Sequence, residues 1–272
     1  MIIHIITIMF GDWTDHIDVI SEKFSSASPF PHVVIENFFS EQCARDIAAE
    51  FETPGEKDWF EYKNPLERKF AKNVNLGERT TGMFDILQSP QFVKMMSTIS
   101  GVQDLMADPH LHGAGIHAYP PGGKLDMHLD YSIHPVTGVE RRLNLLVFLT
   151  EDWDKTCGGD LILTTDIHAP DDVIKKVTPM WNTAVLFRTT DDSIHGLPTP
   201  TTTDKFRKSL AIYYVSPPRE GATLRKKAQF FPWRHIPHTK LQNLYDIRPH
   251  RRIEDSDLWE GWEEEGRKSG NW

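Results

Sequence analysis

Cysteine is scarce in this chain: Cys43 and Cys157 are the only two among 272 residues. Two thiols cannot build a disulfide framework, which excludes the small staple-dependent folds and points to a reducing compartment, read here as the cytoplasm. Positive charge is also in short supply. Thirty Lys and Arg face thirty-nine Asp and Glu, a formal net charge of -9 that opposes general binding to nucleic acid or to an anionic membrane surface. Long apolar runs are missing too. The opening MIIHIITIMF is far too short to cross a bilayer and has neither the basic start nor the small-residue cleavage site of a secretory signal, so a strand is expected there. Internal repeats and low-complexity tracts are absent. What remains is an ordinary globular composition, 39% hydrophobic, with enough chain to bury a real core.

Punctuation divides the chain into an N-terminal arm (1–28), a main domain (29–218) and a C-terminal extension (219–272). Ser40 is placed to cap a helix over EQCARDIAAEF. A second helix is predicted over SPQFVKMMSTISG, where Ser89 is the N-cap, Pro90 takes the first helical position and Gly101 follows the end. Phe92, Met95, Met96 and Ile99 form its packing stripe. From about residue 110 the texture changes to short runs broken by Gly, Pro and Asp: GAGIHAY, DMHLDY, RRLNLLVFL, DLILTT, NTAVLF and KSLAIYYV. Many short strands at this spacing predict a mainly β fold, a barrel or double-sheet jelly roll with the helices packed outside. After SPPRE the pattern dissolves into an appendage that ends in DLWEGWEEEGRK, with Trp233, Trp259 and Trp262 forming a dimer face or, more simply, packing on the barrel.

The segment GGKLDMHLDYSIH carries the chemistry. Alternate residues of a strand project to one side, so His128 and Asp130 aim at one point. With thirteen histidines an isolated HxD is unremarkable, and a third ligand must come from elsewhere. His195 is the best candidate, because it follows the apolar strand NTAVLFRTT and precedes a Gly and a Pro-Thr loop. Two histidines and a carboxylate on one side of an ion make the facial set that favours Fe(II) and leaves positions open for co-substrate and oxygen. In RKSLAIYYV, Arg207, Ser209, Ala211 and Tyr213 share one face. An arginine on an internal face needs an anion, and a dicarboxylate chelating the metal with its other end would supply one. Gly158 and Gly159 read as a turn between strands and not a phosphate cradle, since no helix follows. Cys157 has no basic partner in view and reads as inert.

Taken together, YPPGG, HLD, EDWDKTCGGDLIL, His195 and RKS resemble the Fe(II)- and 2-oxoglutarate-dependent dioxygenases, within them the prolyl-hydroxylase-like branch, over roughly residues 30–217. The resemblance implies a double-stranded β-helix, with His128, Asp130 and His195 as iron ligands and Arg207 on the distal carboxylate of 2-oxoglutarate. It adds Ser209, Tyr119 and Asn144 as further co-substrate contacts. Phe148 departs from the pattern, standing where some prolyl hydroxylases place a co-substrate-binding Tyr. The implied reaction consumes O2 and 2-oxoglutarate, releases succinate and CO2, and hydroxylates a prolyl residue in a protein or peptide, with ascorbate a candidate accessory. A free amino acid or other small metabolite is the alternative substrate, and the loops DYSIHPVTGVERR and TTDIHAPDDVIKKVTP could govern that choice.

Other function classes find less support. LRKKAQFFPWRHIPHTK mixes cations and aromatics in a way that can follow single-stranded nucleic acid, yet the acidic chain opposes it. A binding barrel or a zinc hydrolase would leave the internal Arg207 unexplained. His117 shares parity with Tyr119 and would line the pocket, whereas His110, His112, His134 and His168 are expected in loops or at the surface. Oligomeric state has no signature in the sequence.

Overall fold

The computed structural model describes residues 8–231 and 233, apart from positions 52, 53, 57 and 65. Its strands run in chain order as β1 (His32–Ile35), β2 (Phe60–Asn64), β3 (Glu67–Lys72), β4 (Met106–Ala107), β5 (Gly115–Tyr119), β6 (Lys124–Leu129) and β7 (Glu140–Phe148). They continue as β8 (Leu161–Thr164), β9 (Lys175–Val177), β10 (Thr183–Arg188), β11 (Ile194–Leu197), β12 (Arg207–Ser216) and β13 (Gln229–Phe230). All pair antiparallel in the order β1-β10-β7-β12-β5-β3-β6-β11-β8-β9, with β2 added to β3, β4 to β12 and β13 to β6. The sheet rolls into the nearly closed double-stranded β-helix expected from the sequence.

Strand alternation places the two environments. Leu143, Leu145 and Val147 of β7 and Leu210, Ile212 and Tyr214 of β12 belong to the largest hydrophobic cluster, which the helices cover. Their alternate neighbours Asn144, Leu146, Arg207, Ser209 and Tyr213 line the barrel's interior cavity. Both faces are buried, which explains why β7 reads as an almost continuous apolar run.

Among the described residues, α-helices pack outside over α1 (Ile17–Ser26), α2 (Glu41–Ala49), α3 (Glu78–Leu87) and α4 (Pro90–Ser100). The last is built as the sequence predicts. Ser89 Oγ accepts from Phe92 N at 3.3 Å, and Gly101 closes the helix in the left-handed region at φ 69°. Ser40 occupies the N-cap of α2, but its hydroxyl makes no capping hydrogen bond.

Two helices were not anticipated. α1 buries Ile20 and Phe24 in the main core. α3 contains Thr80, Thr81 and Gly82, poor helix formers, and depends on a remote cap. Glu50 accepts from Arg79 N at 2.9 Å and Thr80 N at 2.8 Å, and its carboxylate lies so close to Gly77 that a Cβ there would meet it at 2.3 Å. Glu50→Ala should therefore lower stability by about 1–2 kcal/mol, the size of a lost cap, read as a shift of the urea midpoint at unchanged slope.

The N-terminal end differs from expectation. Residues 1–7 lie outside the described part; Ile8 and Met9 are helical and Phe10 makes only an isolated bridge to Phe39. Aromatic packing explains the departure, because Phe10 meets Trp13, Phe38, Phe39 and Phe92 with ring centroids 5.1–5.9 Å apart. Beyond residue 218 the described extension is knitted to the barrel. Arg219 binds Glu140 through Nε and Nη2, β13 joins β6, and Trp233 is buried with Met127, Leu129 and Ile162. Trp259 and Trp262 lie outside the described residues. Among those described, no helix is long and apolar enough to cross a membrane.

Candidate active site

His128 and His195 are direct partners across β6 and β11, so strand pairing itself brings the two imidazoles to a ring-centroid distance of 4.4 Å. Gly196 permits the approach, since a Cβ there would meet Asp126 O at 2.8 Å. Asp130 follows the end of β6 and turns back beneath both rings, 3.6 Å from His128 Nε2 and 3.4 Å from His195 Nε2. One ligand atom from each of the three lies within 4.8 Å of the others, the only such group among the described residues. Each imidazole is oriented from behind: His128 Nδ1 sits 2.9 Å from Asp126 O, and His195 Nδ1 3.0 Å from Ser193 O. Those carbonyls require the proton on Nδ1, leaving both Nε2 lone pairs directed at the shared point. This donor set fits a divalent ion bound by two imidazoles and one carboxylate.

Burial and neighbouring charge set the protonation of Asp130 and His195. Burial works against ionisation of Asp130, but Arg141 outweighs it, helped by the two imidazoles, and holds the carboxyl well below its ordinary range. Burial lowers His195 to about 4 despite the neighbouring Asp130, and lowers His117 to about 3 with help from Lys69. Between those values and 6.5 the unfolded chain takes up protons that the folded chain refuses, so stability falls as pH falls. Metal-free protein should lose about 2 kcal/mol per histidine between pH 6.5 and about pH 5, measurable by urea unfolding across that window.

Arg207 sits at the wall of the same cavity, a space of about 570 Å³. It is only 3% exposed. Its Nε donates to Gly159 O at 3.0 Å, and the guanidinium lies 4.7 Å from the Phe148 ring centroid and 5.2 Å from that of Tyr119. Among the described residues no carboxylate forms an ion pair with it. Burial accordingly pulls its pKa down to about 10, only partly offset by Tyr119 and Asp160. The Gly158-Gly159 turn thus supplies a carbonyl to the guanidinium. At Gly159, with φ +67°, a Cβ would stand 3.2 Å from Arg207 Cδ.

Tyr119 and Ser209 line the cavity beside Arg207, and Phe148 contributes its ring face where a Tyr was considered. Asn144 also faces inward, but its amide is committed elsewhere: Nδ2 donates to Asp130 Oδ2 at 2.7 Å and Oδ1 accepts from Arg141 Nε at 2.8 Å. It orients the Asp130 carboxylate.

Arg141 escaped the sequence reading. Its Nη2 is 3.4 Å from Asp130 Oδ2, and its guanidinium stacks 3.3 Å from the Tyr213 ring centroid and 4.7 Å from that of Tyr131. Simple alternation puts Arg141 on the helix side with Leu143. Register shows why it turns inward: Tyr214 pairs Leu143 and Val215 pairs Arg141, so Arg142 is one extra residue in β7, a bulge that reverses facing. His134 was expected at the surface, yet it is 1% exposed. Its Nδ1 accepts from Val136 N and Thr137 N, which shapes the 130–139 loop, and its Nε2 lies 3.5 Å from Asp108. His110 and His112 lie in the loop before β5, and His168 is exposed, as expected. His117 lines the cavity.

Residues 114–215 match the family model of the 2OG-Fe(II) oxygenase superfamily. The chain is 27% identical over 192 residues to the prolyl 3-hydroxylase OGFOD1 of Mus musculus, covering 70% of this chain and 33% of that protein. It is 25% identical over 230 residues to the Xenopus laevis counterpart, covering 80% of this chain and 41% of that one. This chain therefore spans less than half the length of the curated relatives it matches. Among solved structures, a prolyl hydroxylase from Trichoplax adhaerens, held with a hypoxia-inducible-factor peptide, superimposes with a TM-score of 0.56 at 14% identity. The match covers 76% of this chain and 94% of that one; at this identity it speaks for the fold.

Proposed function

Since residues 114–215 match the family model of the 2OG-Fe(II) oxygenase superfamily, we propose that the chain is such an oxygenase and hydroxylates a prolyl residue in a protein or peptide, consuming 2-oxoglutarate and O2 and releasing succinate and CO2. The observation that carries the reading is the pairing, in one cavity, of a two-imidazole, one-carboxylate set with a buried arginine that has no carboxylate ion-pair partner among the described residues. A chelating dicarboxylate satisfies both ends at once.

His128, Asp130 and His195 would hold the iron through Nε2, a carboxylate oxygen and Nε2. When bound, iron and 2-oxoglutarate supply the oxidising power for inserting an oxygen atom into a C–H bond. The protein's own part is placement. Arg207, with Ser209 and Tyr119 beside it, would bind the far carboxylate and fix the co-substrate's direction. Asn144 and Arg141 hold Asp130 in one orientation, while Leu146 and Leu161 give the inner wall apolar surface. Prolyl specificity is supported by the two relatives' activity. A reducing, cytoplasmic setting fits Fe(II) and the free thiols of Cys43 and Cys157. Ascorbate stimulation belongs to the same proposal.

Turnover against proline-containing peptides and free amino acids, with succinate and substrate mass followed together, tests the reading. It predicts one added oxygen on a peptidyl proline per succinate formed; oxygen appearing only on a free amino acid would replace the substrate assignment.

A further inference from the structure

The segment after residue 218 returns to the metal-bearing strand. Gln229 and Phe230 of β13 pair with Leu129 and His128 of β6, and Phe231 N donates to Met127 O at 2.8 Å. Phe230 stacks on the His128 ring at 5.2 Å and 25°, and Trp233 is sunk beside Met127 and Leu129. Upstream, Arg225 is pinned on three sides: its carbonyl accepts from Ser132 N at 2.8 Å, its Nε donates to Asp130 O at 3.3 Å, and its Nη1 reaches Asp191 at 2.7 Å. Residues 226–228 are therefore stretched between two anchors across the cavity mouth, where Lys226 and Lys227 join the lining while remaining exposed.

The charge there is one-sided. Six cationic side chains line the cavity, Lys69, Lys72, Arg141, Arg207, Lys226 and Lys227, against the single carboxylate of Asp130. Asp130 answers Arg141, Glu67 answers Lys69 at 3.1 Å, and Arg207 awaits the co-substrate. Among the described residues Lys226 and Lys227 form no ion pair. A chain of net charge -9 thus presents a positive entrance, where low-dielectric walls strengthen the local field.

We propose that the 225–230 strap is a specificity element that selects peptide substrates carrying Asp or Glu beside the target residue, with Lys226 and Lys227 receiving those carboxylates. The proposal rests on the hydroxylase reading above and adds the chemistry of the flanking residues. A peptide is favoured over single-stranded RNA because two lysines match one or two carboxylates, whereas a phosphate chain running past the mouth would meet the repulsion of an acidic protein.

The test uses the full chain loaded with Mn(II) and 2-oxoglutarate. Binding is followed by fluorescence anisotropy with three peptides of one length, a central proline flanked by Asp and Glu, by Ser and Gln, or by Lys and Arg. The acidic peptide should bind about tenfold more tightly than the neutral one at low salt, the gap shrinking to about twofold as salt screens it. Lys226→Glu with Lys227→Glu should invert the order, and Lys226→Arg with Lys227→Arg should preserve it. Equal affinity for all three peptides, an order unchanged in the Glu variant, or tighter binding of oligouridylate than of the acidic peptide would overturn the proposal. A parallel calorimetric titration of 2-oxoglutarate separates the two claims: no binding there overturns the hydroxylase reading, whatever the peptide series gives.

Discussion

Arg207→Met is expected to weaken 2-oxoglutarate binding by about a hundredfold or more, the scale of a lost two-pronged, charge-assisted contact, while leaving the ligand-free fold at least as stable. The second half distinguishes this arginine from a structural one. Arg207 is buried without a carboxylate partner among the described residues, and its lowered pKa reflects the cost of keeping it charged there. Met keeps most of the volume against Phe148 and Tyr119 and removes that cost, as happens when buried charges give way to apolar side chains. Calorimetry with Mn(II) present reports the affinity, and thermal unfolding without ligand reports the stability. A large loss of stability in the variant would recast Arg207 as part of the scaffold.

Asp130→Asn is expected to act in the opposite sense, abolishing metal binding and destabilising the metal-free protein by about 3 kcal/mol or more. Arg141 is the reason. The substitution preserves shape and leaves an acceptor for Asn144, but it strips the anion from a guanidinium enclosed by Tyr131 and Tyr213. Combining Asp130→Asn with Arg141→Met should restore much of the stability without restoring the metal. Urea unfolding of the single and double variants, with metal content by mass spectrometry, checks both parts; additive losses would show that the two side chains are not coupled.

Legibility of the sequence followed the range of the interactions. Alternation within one strand was enough to put His128 beside Asp130 and Arg207 beside Ser209, because the period is local and both faces of the barrel are distinct. The cap, first-turn proline and terminal glycine of α4 are likewise local, and that helix came out as written. What escaped depends on contacts across the chain. The start of α3 is secured by Glu50 from another helix, and no propensity in ERTTGMFDIL announces it. Arg141 escaped because a bulge is a relation between β7 and β12, visible only in their register. Asn144 was placed correctly on the inner face, but its bonds to Asp130 and Arg141 were not foreseen, since parity fixes a direction and not a partner. The extension looked like an appendage because GATLRKKAQFF carries little apolar periodicity; its attachment runs through backbone pairing to β6 and through Arg225.

The extra residue in β7 has a consequence for anyone shortening this protein. Deleting Arg142 would make the pairing with β12 continuous and the strand more regular. It would leave the neighbouring guanidinium pointing into the barrel, because Arg141 would then directly precede Leu143 and still stand opposite Val215. The damaging change is the other one, a regular register with Arg142 retained, which would turn Arg141 beneath the helices and take it away from Asp130.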